Sequence, residues 1–271
     1  MKIGNREFDV TNRTYIMGIL NVTPDSFSDG GKWNTMDHAL KHAEAMIADG
    51  ADILDVGGES TRPGHTPVSA EEEAARVVPV IEALRKHFDV PISVDTYKGS
   101  VADVAVQAGA DLVNDVWGLK YDPEMAGVIA KHDAACCLMH NKANTEYNNF
   151  LIDMLAETQE CVNIARKAGI KDERIILDPG VGFGKTYEMN LETMNHLELF
   201  QHLGFPLLLG TSRKSMIGLA LDLPVDQRVE GTIATSVIGV MKGCAFIRVH
   251  DVKENKRAVL MTEAILGRNI K

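Results

Sequence analysis

The sequence has no apolar run approaching the roughly 20 residues that a membrane span requires. Its first ten residues, MKIGNREFDV, have neither the basic start nor the apolar centre of a signal peptide. A basic excess is also missing: the formal net charge is −10, whereas nucleic-acid binding through the backbone needs clustered Lys and Arg. We therefore expect a cytoplasmic protein that binds neither membranes nor nucleic acids, although a local basic cluster can still attract a small anion.

Cysteine and aromatic residues are scarce as well. The four cysteines form no Cys-x-x-Cys pair, so the sequence gives no sign of a zinc or redox motif. Cys136 and Cys137 lie inside an apolar segment, where cysteine behaves as a small buried hydrophobic residue. Aromatic residues make up only 6% of the chain, which favours the aliphatic core of parallel strands covered on both faces.

The chain does contain eight short apolar segments, and nearly every one ends in a polar or charged residue. The segments are 14–21, 51–59, 91–96, 112–116, 134–140, 175–180, 206–212 and 246–251. The polar residues at or just after their ends are Asn21, Glu59, Asp95, Asn114, His140, Asp178, Lys214 and His250. If the strands close into a ring, these ends surround one pocket, as in an enzyme built on a (β/α)8 barrel.

Helical periodicity fills the intervals between the segments, and Ser69 followed by Glu72 predicts a capped helix start. The predicted helices cover 36–48, 69–87, 99–108, 122–132, 150–168, 189–202, 226–242 and 252–266, and a further helix opens after Lys214. Regular alternation of strand and helix predicts a parallel α/β fold. The first dozen residues, with a Gly4–Asn5 turn, predict a hairpin that closes the N-terminal end of the barrel.

An open doubly wound sheet is the alternative to a barrel, since strand count does not separate the two. Polar strand ends occur in all eight units rather than at one switch point, and no strand precedes a dinucleotide fingerprint. We therefore predict a (β/α)8 TIM barrel formed by one domain, residues 1–271. The long strand-to-helix loops 22–35 and 60–69 are expected to be functional.

The segment DPGVGFGKT (178–186) resembles a phosphate-binding P-loop, but Pro179 stands where that motif needs its first glycine. We interpret the segment as a close-approach turn with Asp178 at its root. Together with Asp95 and Asn114, Asp178 offers carboxylates and an amide that suit a flat, donor-rich heterocycle. Helix capping is the alternative role for all three residues.

Basic groups come from the last two strands. The helix start at Lys214 and Ser215 is typical of an anion site. Arg248 and His250 alternate along one strand and therefore face the same side, although a surface arginine and a buried structural histidine are the alternatives. Asn21 offers an oxygen to a metal, and Arg62 a guanidinium to phosphate.

Several of these motifs, in strict order from about residue 14 to residue 266, closely resemble the dihydropteroate synthase family. The segments are 18–31, 55–64, 93–96, 114–116, 138–140, 177–186, 210–218 and 248–252. The resemblance implies a (β/α)8 barrel that joins 6-hydroxymethyl-7,8-dihydropterin pyrophosphate to 4-aminobenzoate. The products would be 7,8-dihydropteroate and pyrophosphate, in folate biosynthesis. Mg²⁺ on Asn21 and a homodimer are also implied.

The resemblance assigns site residues by position. The pterin would contact Asp95, Asn114, Met139, Asp178, Phe183, Lys214 and Arg248. The aminobenzoate would contact Phe27, Thr61, Pro63, Phe183 and Ser215. The pyrophosphate would contact Asn21, Arg62 and His250. The implied catalytic set is Asp95, Lys214, Arg248, His250, Asp29 and Arg62.

The implied reaction is a dissociative substitution in which a pterin-stabilised cation forms as pyrophosphate leaves, and the arylamine then attacks it. Two rival functions share the pterin pocket. A methyltetrahydrofolate-dependent corrinoid methyltransferase would not need the phosphate and aminobenzoate contacts of 60–69. A pterin-binding paralogue without synthase activity would keep the pocket, but every expected catalytic position is filled here. An apolar stripe of Ile233, Val237, Ile238 and Met241 either forms the dimer contact or packs on the barrel.

Overall fold

The computed structural model describes residues 1–22, 32–59 and 67–268, and of residues 32–35 the backbone alone. It opens with a small antiparallel hairpin of β1 (Lys2–Ile3) and β2 (Arg6–Glu7). Ile3 and the nearby Phe8 are buried against the barrel interior. The predicted hairpin at the N-terminal end of the barrel is therefore confirmed.

Eight parallel strands form the central sheet. They are β3 (Tyr15–Asn21), β4 (Ile53–Gly57), β5 (Ile92–Asp95), β6 (Leu112–Asp115), β7 (Ala135–Met139), β8 (Ile175–Asp178), β9 (Leu208–Leu209) and β10 (Phe246–Val249). The sheet runs from β8 through β7, β6, β5, β4, β3 and β10 to β9. A parallel bridge between Leu177 and Leu207 joins its two ends, so the sheet closes and the predicted barrel is confirmed.

Helices follow the strands and cover the outside. They are α1 (Lys32–Ala48), α2 (Ala70–His87), α3 (Gly99–Gln107), α4 (Met125–His132), α5 (Phe150–Ala168), α6 (Tyr187–Asn195), α7 (Ser215–Leu221), α8 (Val229–Met241) and α9 (Val252–Ile265). Ser69 caps α2 by accepting from the Glu72 amide at 3.2 Å, as predicted. In the described ranges no helix combines the length and apolar character of a membrane span.

Four predicted helices differ from the structure by three or more residues at one end, among them α1, which begins at 32 rather than 36, and α8, which begins at 229 rather than 226. The continuous helix over 189–202 is wrong: α6 ends at Asn195, and a separate 3-10 helix covers Leu197–Leu203. The helix predicted to begin at 122 begins at Met125, because Asp122 accepts from the amides of Gly99 and Glu124 and forms a turn.

Side chains alternate between two apolar layers, as the period of two in a strand requires. One layer lies between the strands and the helices and holds most of the core. The other fills the N-terminal half of the barrel and comprises Ile3, Phe8, Tyr15, Met17, Ile53, Leu112, Ala135, Cys137, Ile176, Leu208, Ala245 and Phe246. Because apolar side chains occupy that half, the polar inward-facing side chains collect at the C-terminal half.

Candidate active site

Arg248 forms the centre of a charged cluster at the C-terminal half of the barrel. Its Nε donates to Asp55 Oδ2 and its Nη2 to Asp95 Oδ2, both at 2.6 Å. Asn114 Nδ2 donates to the same oxygen of Asp55 at 3.3 Å. Burial alone would lower the pKa of Arg248, but the two carboxylates outweigh it and raise that pKa. Strands β4, β5, β6 and β10 thus supply one hydrogen-bonded network facing the barrel axis.

The carboxylates of this cluster keep unused hydrogen-bonding capacity. Within the described part of the chain, Asp55 Oδ1, Asp95 Oδ1 and Ser93 Oγ are buried without a hydrogen-bond partner. Burial raises the pKa of Asp95 to about 7, although Arg248 opposes the shift. A buried polar atom without a partner costs free energy unless a ligand or water satisfies it. These atoms therefore favour a site for a polar ligand.

Asp178 ends β8 beside this cluster. Its Oδ1 accepts from the Gly180 amide at 2.7 Å, so one carboxylate oxygen is engaged by the following turn. Burial raises the pKa of Asp178, while Lys214 and the Gly180 amide lower it. A β-carbon built on Gly210 would lie 3.7 Å from Asp178 Oδ2 and 3.9 Å from Arg248 Cβ. The glycine therefore leaves room beside both side chains.

Lys214 and an aromatic wall border the same space. Lys214 Nζ donates to the Val181 carbonyl and lies 4.6 Å from the centroid of the Phe183 ring. Burial lowers the pKa of Lys214 to about 8, whereas Asp178 raises it. A separate apolar cluster of Tyr97, Val116 and Met139 packs against Trp117 and Phe183. A flat ring bound in this space would contact apolar side chains on its face and charged groups at its edges.

Asn21, His250 and Ser215 lie at the ends of their elements. Asn21 is the exposed last residue of β3, and a β-carbon built on Gly57 would be 3.5 Å from its Oδ1 and 3.7 Å from Asp95 Cβ. His250 Nδ1 is 2.9 Å from Ser212 Oγ. Ser215 is the exposed first residue of α7, directly after Lys214.

Two of the eight predicted strand ends turn to other partners. His140 is wrong as a pocket residue: Met139 faces inward, so the next side chain points outward, where Nε2 meets Glu157 Oε2 of α5 at 2.9 Å. Glu59 forms an ion pair with Lys98 and accepts from the Tyr97 hydroxyl at 2.6 Å. Five predicted site residues lie outside the described ranges: Phe27, Asp29, Thr61, Arg62 and Pro63.

Sequence reasoning missed Asp55 as a site residue. The signal was present, because Ile53, Asp55 and Gly57 alternate along a buried strand, and Asp55 is the one charged side chain in β4. It also missed Lys185, which contacts His140 just after β7 and the Gly180 carbonyl, and through His140 is connected to Glu157 on α5. No local pattern identifies such distant partners.

The described residues do not form a complete metal site of protein ligands. In the ranges 1–22, 32–59 and 67–268, no group of three or more His, Cys, Asp or Glu side chains could hold a metal ion. Mg²⁺ binds oxygen ligands, keeps several waters and usually takes one or two carboxylates together with substrate phosphates. Asn21 offers one exposed amide oxygen, so water and substrate phosphates would have to supply most of the ligands of a Mg²⁺ ion held there.

Comparison with known proteins places this arrangement in a family. The family model described as pterin binding enzyme matches residues 17–250. The match covers β3 from residue 17 onward, the other seven strands of the barrel in full, and all the described residues that were assigned to the site. The fold and the charged cluster around Arg248 therefore define a pterin-binding enzyme.

Similar proteins narrow that class. A dihydropteroate synthase of Clostridium beijerinckii is 64% identical over 99% of this chain and 100% of its own length. A crystal structure of dihydropteroate synthase from Clostridium difficile in the presence of pteroic acid has a TM-score of 0.94 at 52% identity, covering 97% and 100% of the two chains. Another, from Xanthomonas albilineans with 4-aminobenzoic acid, has a TM-score of 0.90 at 41% identity, covering 94% of each. The chain belongs to the dihydropteroate synthases.

Proposed function

We propose that this pocket joins 6-hydroxymethyl-7,8-dihydropterin pyrophosphate to 4-aminobenzoate, releasing 7,8-dihydropteroate and pyrophosphate in folate biosynthesis. The observation that carries the proposal is the buried floor of Asp55, Asp95, Asn114 and Arg248 beside Asp178, with hydrogen-bonding capacity left unused. Such a floor suits a flat heterocycle that has donors and acceptors along its edge. Relatives of high identity carry the same activity in their names.

The pterin would lie between this floor and the wall formed by Met139 and Phe183. Asp178 would accept from the amino edge of the pterin, and Asp95 and Asn114 would bind ring nitrogens. Arg248 would stack on the ring, held flat by its two carboxylate partners. Lys214 would donate to the pterin carbonyl, for which its position beside Asp178 is suitable.

The pyrophosphate and the second substrate would occupy the mouth. Asn21, Arg62 and His250 would bind the pyrophosphate, and Mg²⁺ on Asn21 would neutralise charge on the phosphates. Phe27, Thr61, Pro63 and Phe183 would pack on the aminobenzoate ring. Ser215, exposed at the start of α7, would hold its carboxylate.

The chemistry would be a dissociative substitution. The bond between the pterin methylene carbon and the pyrophosphate oxygen breaks, and the electron pair leaves with the pyrophosphate. Arg62 and His250 would stabilise that charge most strongly in the transition state. Asp95, with Asp29, would favour the cation left on the pterin. The neutral arylamine then forms the new C–N bond and afterwards loses a proton, so no strong general base is required.

We further propose a cytoplasmic homodimer. Support for the dimer comes from apolar side chains exposed on the C-terminal helices, including Leu219, Ile238, Met241, Met261 and Ile265. Ile233 and Val237, the other members of the predicted stripe, are half-buried and pack partly on the protein itself.

The test is pyrophosphate release by the purified protein with dihydropterin pyrophosphate and Mg²⁺, with and without 4-aminobenzoate. We expect stoichiometric pyrophosphate and dihydropteroate only when both substrates are present. Tight pterin binding without turnover would contradict the synthase and point to an inactive paralogue. Methyl transfer from methyltetrahydrofolate to a corrinoid would point to the methyltransferase.

A further inference from the structure

The turn of residues 180–184 is held from behind by Lys185, the lysine of the P-loop-like segment. Its Nζ donates to the carbonyls of Gly180 and Phe183 at 2.9 and 3.0 Å, and it lies 2.9 Å from His140 Nδ1. An ammonium has three protons, and these three acceptors use all of them. The lysine therefore caps its own turn instead of facing a phosphate.

His140 connects this lysine to the helix layer. Burial lowers the pKa of His140 to about 2, so the imidazole is neutral. Because Nδ1 faces an ammonium, the hydrogen-bond pattern assigns the ring proton to Nε2, which donates to Glu157 Oε2 at 2.9 Å. The other oxygen of Glu157 accepts from Lys142 at 2.9 Å. Each link thus has a defined donor and acceptor.

The turn has little freedom on the His140 side. Gly180 has φ +68°, and a β-carbon there would lie 1.9 Å from the His140 carbonyl oxygen. The His140 amide in turn donates to the Asp178 carbonyl at 2.9 Å. Strand β7, the root of the turn and Lys185 are therefore packed as one unit.

The opposite side of the turn meets the pocket. The Gly180 amide donates to Asp178, the Val181 carbonyl accepts from Lys214, and the Phe183 ring lies under the Lys214 ammonium. Three groups proposed to bind the pterin are therefore oriented by one turn. A shift of that turn would move all three.

We propose that Glu157, His140 and Lys185 are positioning residues that fix the turn of residues 180–184 for pterin binding. The proposal rests on the function proposed above and adds residues that do not touch substrate. Glu157 lies on α5, outside the barrel; it contacts the turn through His140 and Lys185 and also pairs with Lys142. This series of hydrogen bonds resembles the arrangement in which a carboxylate behind an imidazole fixes the tautomer and the orientation of the ring.

The test compares Glu157→Gln with Glu157→Leu. The amide oxygen of Gln can still accept from His140, whereas Leu cannot. Calorimetric titration with dihydropterin pyrophosphate and Mg²⁺ should give a Kd within threefold of wild type for E157Q and at least tenfold weaker for E157L and K185M. In steady-state kinetics, KM for the pterin substrate should rise little in E157Q and strongly in E157L and K185M. The value of kcat should change less, because Asp95 is unaltered. Glu160→Leu, at an exposed ion pair on the same helix, is the matched control and should bind normally.

The outcomes separate this proposal from the function on which it rests. Wild-type Kd values in E157L and K185M, even with a lowered melting temperature, would show a purely structural network and overturn the proposal. Equal weakening in E157Q and E157L would also overturn it, since the hydrogen bond would then be irrelevant. If the wild-type protein itself neither binds the pterin nor turns over, the proposed function fails instead. Should K185M not fold, the two Glu157 variants decide the question alone.

Discussion

Arg248 shows how one side chain can serve both the fold and the site. It bridges two carboxylates from neighbouring strands, and those carboxylates are almost completely buried. Removing the partner of a buried charge costs more than an ordinary substitution, because the remaining charge is left without compensation. The same pairing holds the guanidinium in one orientation, which a stacking contact with a ring requires.

Arg248→Met should therefore lower the free energy of unfolding by about 3–5 kcal/mol at pH 8. The loss should be smaller at pH 6, because Asp95, whose pKa is already raised to about 7, can then take a proton. Urea denaturation at both pH values measures this. Arg257→Met, at an exposed position on α9, is the control and should change stability by less than about 0.5 kcal/mol. An equal loss for both variants would contradict the role of the cluster.

The pH dependence of kcat/KM should be a narrow bell with its maximum near neutrality. Asp95 must be ionised to favour a cation, and its pKa is raised, so activity falls as the pH drops below about 7. The pKa values of Lys185 and Lys214 are lowered by burial to about 7 and about 8, so activity also falls as the pH rises through these values. Initial rates in Asp95→Asn should be low and should lose the acid limb only. A retained acid limb in that variant would refute the assignment.

At the scale of elements, glycines decide where backbone and ligand can approach. Gly180 has a positive φ and lies against the His140 carbonyl, whereas Gly210 has only ordinary contacts with Asp178 and Arg248. One glycine is thus required by the fold, and the other leaves room in the pocket. The two positions give a matched pair for mutation.

Gly180→Ala should destabilise the protein by at least about 2 kcal/mol, because the added methyl group meets a backbone oxygen and the conformation disfavours any β-carbon. Gly210→Ala should change stability by less than about 1 kcal/mol but weaken pterin binding at least tenfold by filling the space beside Asp178. Thermal unfolding and pterin titration distinguish the two effects. The prediction fails if G210A binds the pterin normally.

Sequence patterns predicted the elements well, because their signals are local. The helix over 150–168 and the cap at Ser69 were found within a residue, since capping and periodicity act over one turn. The break after Asn195 was missed because the apolar pattern continues through it. His140 was placed in the pocket because it ends an apolar segment. The alternation of side chains along a strand predicts the opposite, since Met139 faces inward and the next side chain must face outward.

Candidate site residues could be predicted where a polar side chain lies near the C-terminal end of a strand and also faces inward by alternation. Four residues meet both conditions: Asp95, Asn114, Asp178 and Arg248. Their meeting in one cluster depends on barrel closure, which the alternation of strands and helices implies. Lys185 could not be assigned from sequence, since its function depends on His140, 45 residues away, and through it on Glu157. Contacts of that range are fixed only by the completed fold.

At the scale of the whole molecule, the C-terminal helices carry the proposed dimer contact. Met241 is 62% exposed on α8, and Ile265 on α9 is 72% exposed. Met241→Glu should shift the protein from dimer to monomer in sedimentation velocity, because a charge in an apolar interface is costly. Ile152→Glu, at a similarly exposed position on α5, should leave the mass unchanged. Dissociation by both variants, or by neither, would contradict this choice of surface.

In the part of the chain that the structure describes, the barrel closes through one bridged pair, Leu177 with Leu207, and the neighbouring β9 is only two residues long. Asp178 and Lys214 lie on either side of this join. A pterin bound by both residues would act as a removable cross-link between the two ends of the sheet, β8 and β9. Pterin binding would then stabilise the closed barrel, because a ligand that binds only the folded state raises the free energy of unfolding.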